Sequence, residues 1–184
     1  MTTRKQSILS AIGALPLLFA TAIAADDRHD NEEKVKANLS GYHEVPTLSS
    51  EGTATFRARI ANDDQSFDWT LTYSGLNNVL QAHVHFGAPA INGGIVVFLC
   101  TNLGNAPASP PATPVAACPS PAATLSGTAR AADVAAGAAA QGIAAGEFAK
   151  VIAAIRAGAT YANVHTTLRP GGEIRGPIHS HSDH

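Results

Sequence analysis

Two histidines spaced two apart, His83 and His85 in Ala82-His83-Val84-His85-Phe86, are the residues whose types and spacing point most directly to chemistry. Alternate side chains of an extended strand leave the same face about 7 Å apart at their Cα atoms. Two imidazoles at that spacing can converge on one metal ion, with nitrogen-to-metal distances of about 2 Å. His165, in Tyr161-Ala162-Asn163-Val164-His165-Thr166, follows the same logic, because Ala162 and Val164 face a core and turn His165 to the other side. All three histidines therefore sit opposite apolar faces, on the side expected at the surface, and three ligands meet if the two strands are close.

A hairpin turning near Arg169 places Glu173 across from His165 and Arg175 across from Asn163. Glu173 then either orients His165 or completes the coordination, with Arg175 neutralising it. The competing reading is a cross-strand polar ladder in which His165, Glu173 and Arg175 only hydrogen-bond. His43 is a further candidate ligand whose position relative to the others spacing does not give, and the tail with His179, His181 and His184 is rich enough in imidazole to hold a metal loosely. No nucleophile elbow, Gly-rich phosphate loop or Walker pattern is present, so no complete catalytic set is recognised and an enzyme is not expected.

The elements that must position these residues follow from hydrophobic periodicity. Period-2 alternation marks strands over 52–60 and 67–73, joined at Asn62-Asp63-Asp64-Gln65 as an antiparallel hairpin. Further strands are expected over 80–86, 95–99, 125–129, 161–166 and 173–178, the last two flanking the turn Arg169-Pro170-Gly171-Gly172. One helix is expected, because Phe148, Val151, Ile152 and Ile155 follow i, i+3, i+4, i+7 and Gly158 can cap it. The Ala/Gly-rich stretch 131–145 reads as loop with at most a helical turn. The fold class is mainly β, an antiparallel Greek-key-like sandwich or barrel with one short helix near the C-terminal part.

The chain begins Met1-Thr2-Thr3-Arg4-Lys5, runs apolar from Ile8 to Ile23 and reaches Ala22-Ile23-Ala24 before Ala25-Asp26-Asp27, the pattern of an export signal over 1–25 and too short for a membrane span. A flexible lead-in over 26–36, a β domain over 37–178 and a His-rich tail over 179–184 complete the expected organisation. Removing Arg4 and Lys5 takes the 12 basic residues to 10 against 14 acidic ones, a formal charge of −4 that argues against nucleic acid as a partner. The chain's two cysteines, Cys100 and Cys118, close a short Pro/Ala-rich loop. In an exported protein a disulfide is their simplest use; the alternative of two thiolate metal ligands lacks a Cys-x-x-Cys spacing.

Leu39-Ser40-Gly41-x-x-Glu44-Val45-Pro46, Gly52-Thr53-Ala54-Thr55-Phe56, Ala82-His83-Val84-His85-x-Gly87, Tyr161-x-Asn163-Val164-His165-Thr166 and Pro170-Gly171-Gly172-Glu173-Ile174-Arg175-Gly176, in this order from about Val35 to Ile178, resemble the CHRD domain. The resemblance implies an extracellular β-sandwich module, of a type found in bacterial exported proteins and repeated in chordin, with a possible extracellular protein partner and, for bacterial members, no established reaction. It implies that His83, His85, His165, Glu173 and Arg175 occupy the family's characteristic positions, whereas His43 stands where the family usually has Asn. His83-Val84-His85-Phe86-Gly87 is also similar to the His-x-His strand of copper–zinc superoxide dismutase, without that enzyme's remaining ligands. The expectation is a secreted or periplasmic binding module with a surface His site for one Cu or Zn ion. The alternatives are a protein-interaction or matrix domain without metal and a dismutase-like redox enzyme.

Overall fold

The computed structural model describes Met1 and residues 32–107 and 114–180. The expected export signal beyond Met1, the lead-in up to residue 31 and tail residues 181–184 lie outside the described residues.

Nine strands are present: β1 Glu33–Ser40, β2 Thr53–Ile60, β3 Ser66–Ser74, β4 Val79–Phe86, β5 Gly94–Thr101, β6 Ala123–Arg130, β7 Thr160–Thr166, β8 Ile174–Pro177 and β9 His179–Ser180. They pair antiparallel in one sheet of order β5-β4-β7-β8-β1-β2-β3-β6, with β9 on β1. The sheet's two ends approach each other just after β6, where Ala135 N–H donates to the Val96 carbonyl at 2.9 Å and Val97 bridges to Val134. The result is a nearly closed barrel-like sheet, and the expected mainly antiparallel β class with one short helix is what the chain adopts. Among the described residues no helix is long and apolar enough to cross a membrane.

Alternation fills the interior as the sequence implied. Phe56, Ala58 and Ile60 from β2, Phe67, Trp69, Leu71 and Tyr73 from β3, and Ala82 and Val84 from β4 are buried. Helix α1, Phe148–Arg156, buries Phe148, Val151, Ile152 and Ile155, each contributing on the order of 1.5–3 kcal/mol by leaving water. It ends as expected: Gly158 takes φ +66°, its N–H donates to the Ile155 carbonyl, and Ala159 N–H donates to that of Ala154. These are the paired bonds that satisfy the last carbonyls of a helix. The stretch 131–145 holds two 3-10 turns, Ala131–Asp133 and Ala136–Gln141.

Two strands were not expected, and β8 begins later than expected. β1 starts at Glu33, inside the expected lead-in, and pairs with β2 along its whole length from Glu33↔Ile60 to Ser40↔Thr53. Val35, Ala37 and Leu39 alternate inward, a signal obscured in the sequence by the charged Glu33, Lys34 and Lys36 around them. His179 and Ser180, assigned to the tail, form β9 against Lys36 and Val35. Glu173 precedes β8 instead of opening it, although its N–H still donates to the Val164 carbonyl at 2.9 Å. Cys100 and Cys118 are disulfide-bonded with Cα atoms 5.3 Å apart. Closing a loop of this length restricts the unfolded chain enough to stabilise the fold by about 3 kcal/mol.

Candidate metal centre

β4 and β7 are neighbours, in the register Gln81↔His165, His83↔Asn163 and His85↔Tyr161. Period 2 then puts His83, His85, Tyr161, Asn163 and His165 on one face, away from the Ala82, Val84, Ala162 and Val164 core. Against β5 the register of β4 shifts on either side of His83 and Val84, an irregularity of the kind that re-aims side chains. One ligand atom from each of His83, His85 and His165 lies within 4.8 Å of the others. The closest approach is His83 Nδ1 to His165 Nε2, 3.3 Å.

The cluster is not the surface site that strand alternation implied. His83 is 0 % exposed and His85 and His165 are 7 % each, because three loops fold over the outer face of β4 and β7. The loop before β5 brings the Gly93 carbonyl to His85 Nδ1 at 3.0 Å, and its N–H donates to the Tyr161 hydroxyl. The loop after β7 brings the Pro170 carbonyl to His165 Nδ1 at 3.0 Å. The turn after β1 delivers Glu44. Phe98 meets the His83 ring edge-on at 4.5 Å, and Tyr161 lies parallel to His85 at 4.8 Å.

These contacts decide tautomers and charge. A carbonyl at Nδ1 requires a proton there, so neutral His85 and His165 each present Nε2 as a lone pair. The Nε2 atoms of His83 and His85 are buried and make no hydrogen bond. Burial pushes the His83 pKa down to about 2, helped by His165 and His85. Burial likewise lowers His85 to about 4 against the opposing Gly93 hydrogen bond, with His165 and Arg175 adding to the fall. His165 is lowered by burial and by Arg175, opposed by its bond to Pro170. All three rings are therefore neutral at pH 7, the form in which imidazole ligates a metal.

Of the remaining expected site residues, Arg175 and Asn163 pair across β7 and β8 as the hairpin register implied, but their carboxylate partner is different. Glu44 Oε2 accepts from Arg175 Nε at 2.8 Å and its Oε1 accepts from Asn163 Nδ2 at 2.7 Å, with all three side chains buried. Arg175 also donates to the Asn92 side chain at 2.7 Å and lies 4.5 Å over the Tyr161 ring. Glu173 is not brought to the cluster: its carboxylate accepts from Ser50 and Thr166. Gly172, at φ +127°, leaves room for Glu44 by having no side chain. A Cβ on Gly172 would stand 2.7 Å from Glu44 Oε1 and 2.8 Å from Asn163 Oδ1.

His43 is exposed, contacts Ser40 Oγ at 3.4 Å and does not join the three histidines. His179 is exposed on β9, and His181 and His184 lie outside the described residues. Glu44, Tyr161 and Phe98 were missed as site residues. The sequence signal for Glu44 and Tyr161 was their place in the motifs that resemble the CHRD domain, Leu39-Ser40-Gly41-x-x-Glu44-Val45-Pro46 and Tyr161-x-Asn163-Val164-His165-Thr166.

A family model described as the CHRD domain matches residues 35–178. No curated protein and no solved structure matches the chain.

Proposed function

Because the chain belongs to the CHRD domain family, we propose that it is an exported binding module whose His83, His85 and His165 hold one transition-metal ion, copper or zinc. The observation that carries this reading is the pair of buried Nε2 atoms on His83 and His85 that make no hydrogen bond. Leaving a buried polar atom without a partner costs about 1–3 kcal/mol, so a purely structural ladder of histidines would be expected to satisfy them. A metal ion uses such lone pairs, and the ligand atoms of three rings within 4.8 Å need only small side-chain rotations to share one.

The surroundings support the same reading. The Gly93 and Pro170 carbonyls fix the tautomers of His85 and His165, the role that partners behind a ligating imidazole usually perform. Export is supported by the basic, apolar and small-residue pattern of residues 1–25 and by the Cys100–Cys118 bond, which persists in oxidising compartments. Neither the described contacts nor the motifs supply a nucleophile and its base, so binding is favoured over catalysis.

Equilibrium dialysis of the untagged chain against Zn(II) or copper, followed by metal analysis, tests the proposal. Near one equivalent retained by the chain and lost from the His83→Leu/His85→Leu variant is the expected result. No retained metal would leave a protein-interaction module in which the histidines only order the fold.

A further inference from the structure

We infer that the His83–His85–His165 centre is built for a monovalent ion, Cu(I), in preference to Zn(II) or Cu(II); this rests on the metal-binding reading above and names the ion it takes. The first ground is the charge of the donor set. Three neutral imidazoles form the cluster, and no carboxylate among the described residues joins them. Both nearby acids are committed elsewhere, Glu44 to Asn163 and Arg175 and Glu173 to Ser50 and Thr166. An ion held here keeps its full charge, and the cost of burying a charge grows as its square, so a divalent ion costs about four times as much as a monovalent one in the same surroundings.

The second ground is the field around the cluster. Arg175 lies over Tyr161 at 4.5 Å, and Tyr161 stacks on His85 at 4.8 Å with 2° between the planes. Since β7 runs between β4 and β8, the Tyr161 ring stands between a ligand and a fixed guanidinium. The Glu44–Arg175 pair sums to zero, so it supplies no negative charge to offset a second positive one.

The third ground is coordination number. Divalent zinc in protein sites takes four tetrahedral ligands and Cu(II) a tetragonal set. Here three nitrogens converge in a site whose rings are 0–7 % exposed, with Phe98 against His83 and Tyr161 against His85. Water has little access to complete a divalent shell, whereas Cu(I) is stable with two or three nitrogen ligands.

The test compares ions on the full untagged chain carrying His181→Ser and His184→Ser, so that the terminal imidazoles do not compete. Cu(I) is titrated anaerobically against bicinchoninate, and Cu(II) and Zn(II) against chelators of matched strength. One equivalent of Cu(I) is expected, bound on the order of a hundredfold tighter than Cu(II), which places the midpoint potential of the bound copper about 120 mV above the aqueous couple. Zn(II) or Cu(II) binding as tightly as Cu(I) would overturn the inference and leave the metal-binding reading standing. Cu(I) retained undiminished by His83→Leu would overturn it too, by placing the ion elsewhere. No stoichiometric binding of any of the three ions would overturn the reading on which the inference rests.

Discussion

His83 and His165 stand two residues out of register on adjacent antiparallel strands, and Nδ1 of one lies 3.3 Å from Nε2 of the other. That diagonal contact ties residues 82 positions apart in the chain, and it exists only because β7 inserts beside β4 in the sheet. Its consequences are measurable in the protein with and without metal.

His83 is the ligand whose loss should be tolerated best by the fold itself. Its Nε2 is already without a partner in a buried site beside Phe98, and its Nδ1 meets His165 Nε2, so His83→Leu exchanges one unpaired buried nitrogen, its own Nε2, for another, His165 Nε2. Urea denaturation of the metal-free variant should give a stability within about 1 kcal/mol of the parent, or above it. The increase in stability on adding metal should vanish. A loss of several kcal/mol without metal would mark the ring as a structural one.

Glu44 should behave in the opposite way. Glu44→Gln keeps the shape but leaves the Arg175 guanidinium, 4 % exposed, without its counter-charge. Removing one partner of a buried pair typically costs about 3–5 kcal/mol. The double variant Glu44→Gln/Arg175→Met, measured by the same denaturation curves, should recover part of that loss. A Glu44→Gln variant as stable as the parent would show that the pair does not act as described.

Sequence and structure part company at this point. Alternation set most of the strands, turned His83, His85 and His165 away from the apolar side of their own strands, and with a short turn paired Arg175 with Asn163, whereas the adjacency of β4 and β7 that brings the three rings together is a feature of the sheet order. Alternation also did not show that this face is covered. Covering it takes three loops: those carrying Gly93 and Pro170 fold back on histidines 8 and 5 residues away, whereas the turn carrying Glu44 returns from 131 positions away, which no local pattern encodes. The acid in the network was misassigned for the same reason: Glu173 is near His165 in the chain, whereas Glu44 reaches Asn163 from 119 positions away. β1 as a whole escaped notice because the polar residues Lys34, Lys36 and Asn38 alternate outward with Val35, Ala37 and Leu39.

Gly172 should be intolerant of a side chain and Gly171 tolerant. At φ +127°, with a Cβ 2.7 Å from Glu44 Oε1, Gly172→Ala combines backbone strain with a clash and should cost about 2 kcal/mol or more. Gly171 has open space where its Cβ would go, so Gly171→Ala should stay within about 0.5 kcal/mol. Thermal unfolding of the two variants side by side separates the outcomes, and equal losses would refute the close approach at Gly172.

Stability should fall with acid earlier than carboxylates alone would cause. Burial holds His83 at about 2 and His85 at about 4 and also lowers His165, from an ordinary value of 6.5. Below pH 6.5 the unfolded chain takes up protons that the folded chain refuses, so the stability present above that pH is lost as the pH drops. Each neutral imidazole adds a slope of up to about 1.4 kcal/mol per pH unit until its folded pKa is reached. Urea midpoints at pH 7.5, 6.5 and 5.5 should therefore decline before most carboxylates titrate, and a flat profile over that range would contradict neutral buried rings.

The central claim is that three imidazoles from β4 and β7 share one ion, and anomalous diffraction from metal-loaded crystals tests it most directly. The account predicts a single strong peak about 2.0–2.2 Å from one nitrogen of each of His83, His85 and His165. A peak at the terminal histidines alone, or none between the three rings at saturating metal, would contradict it.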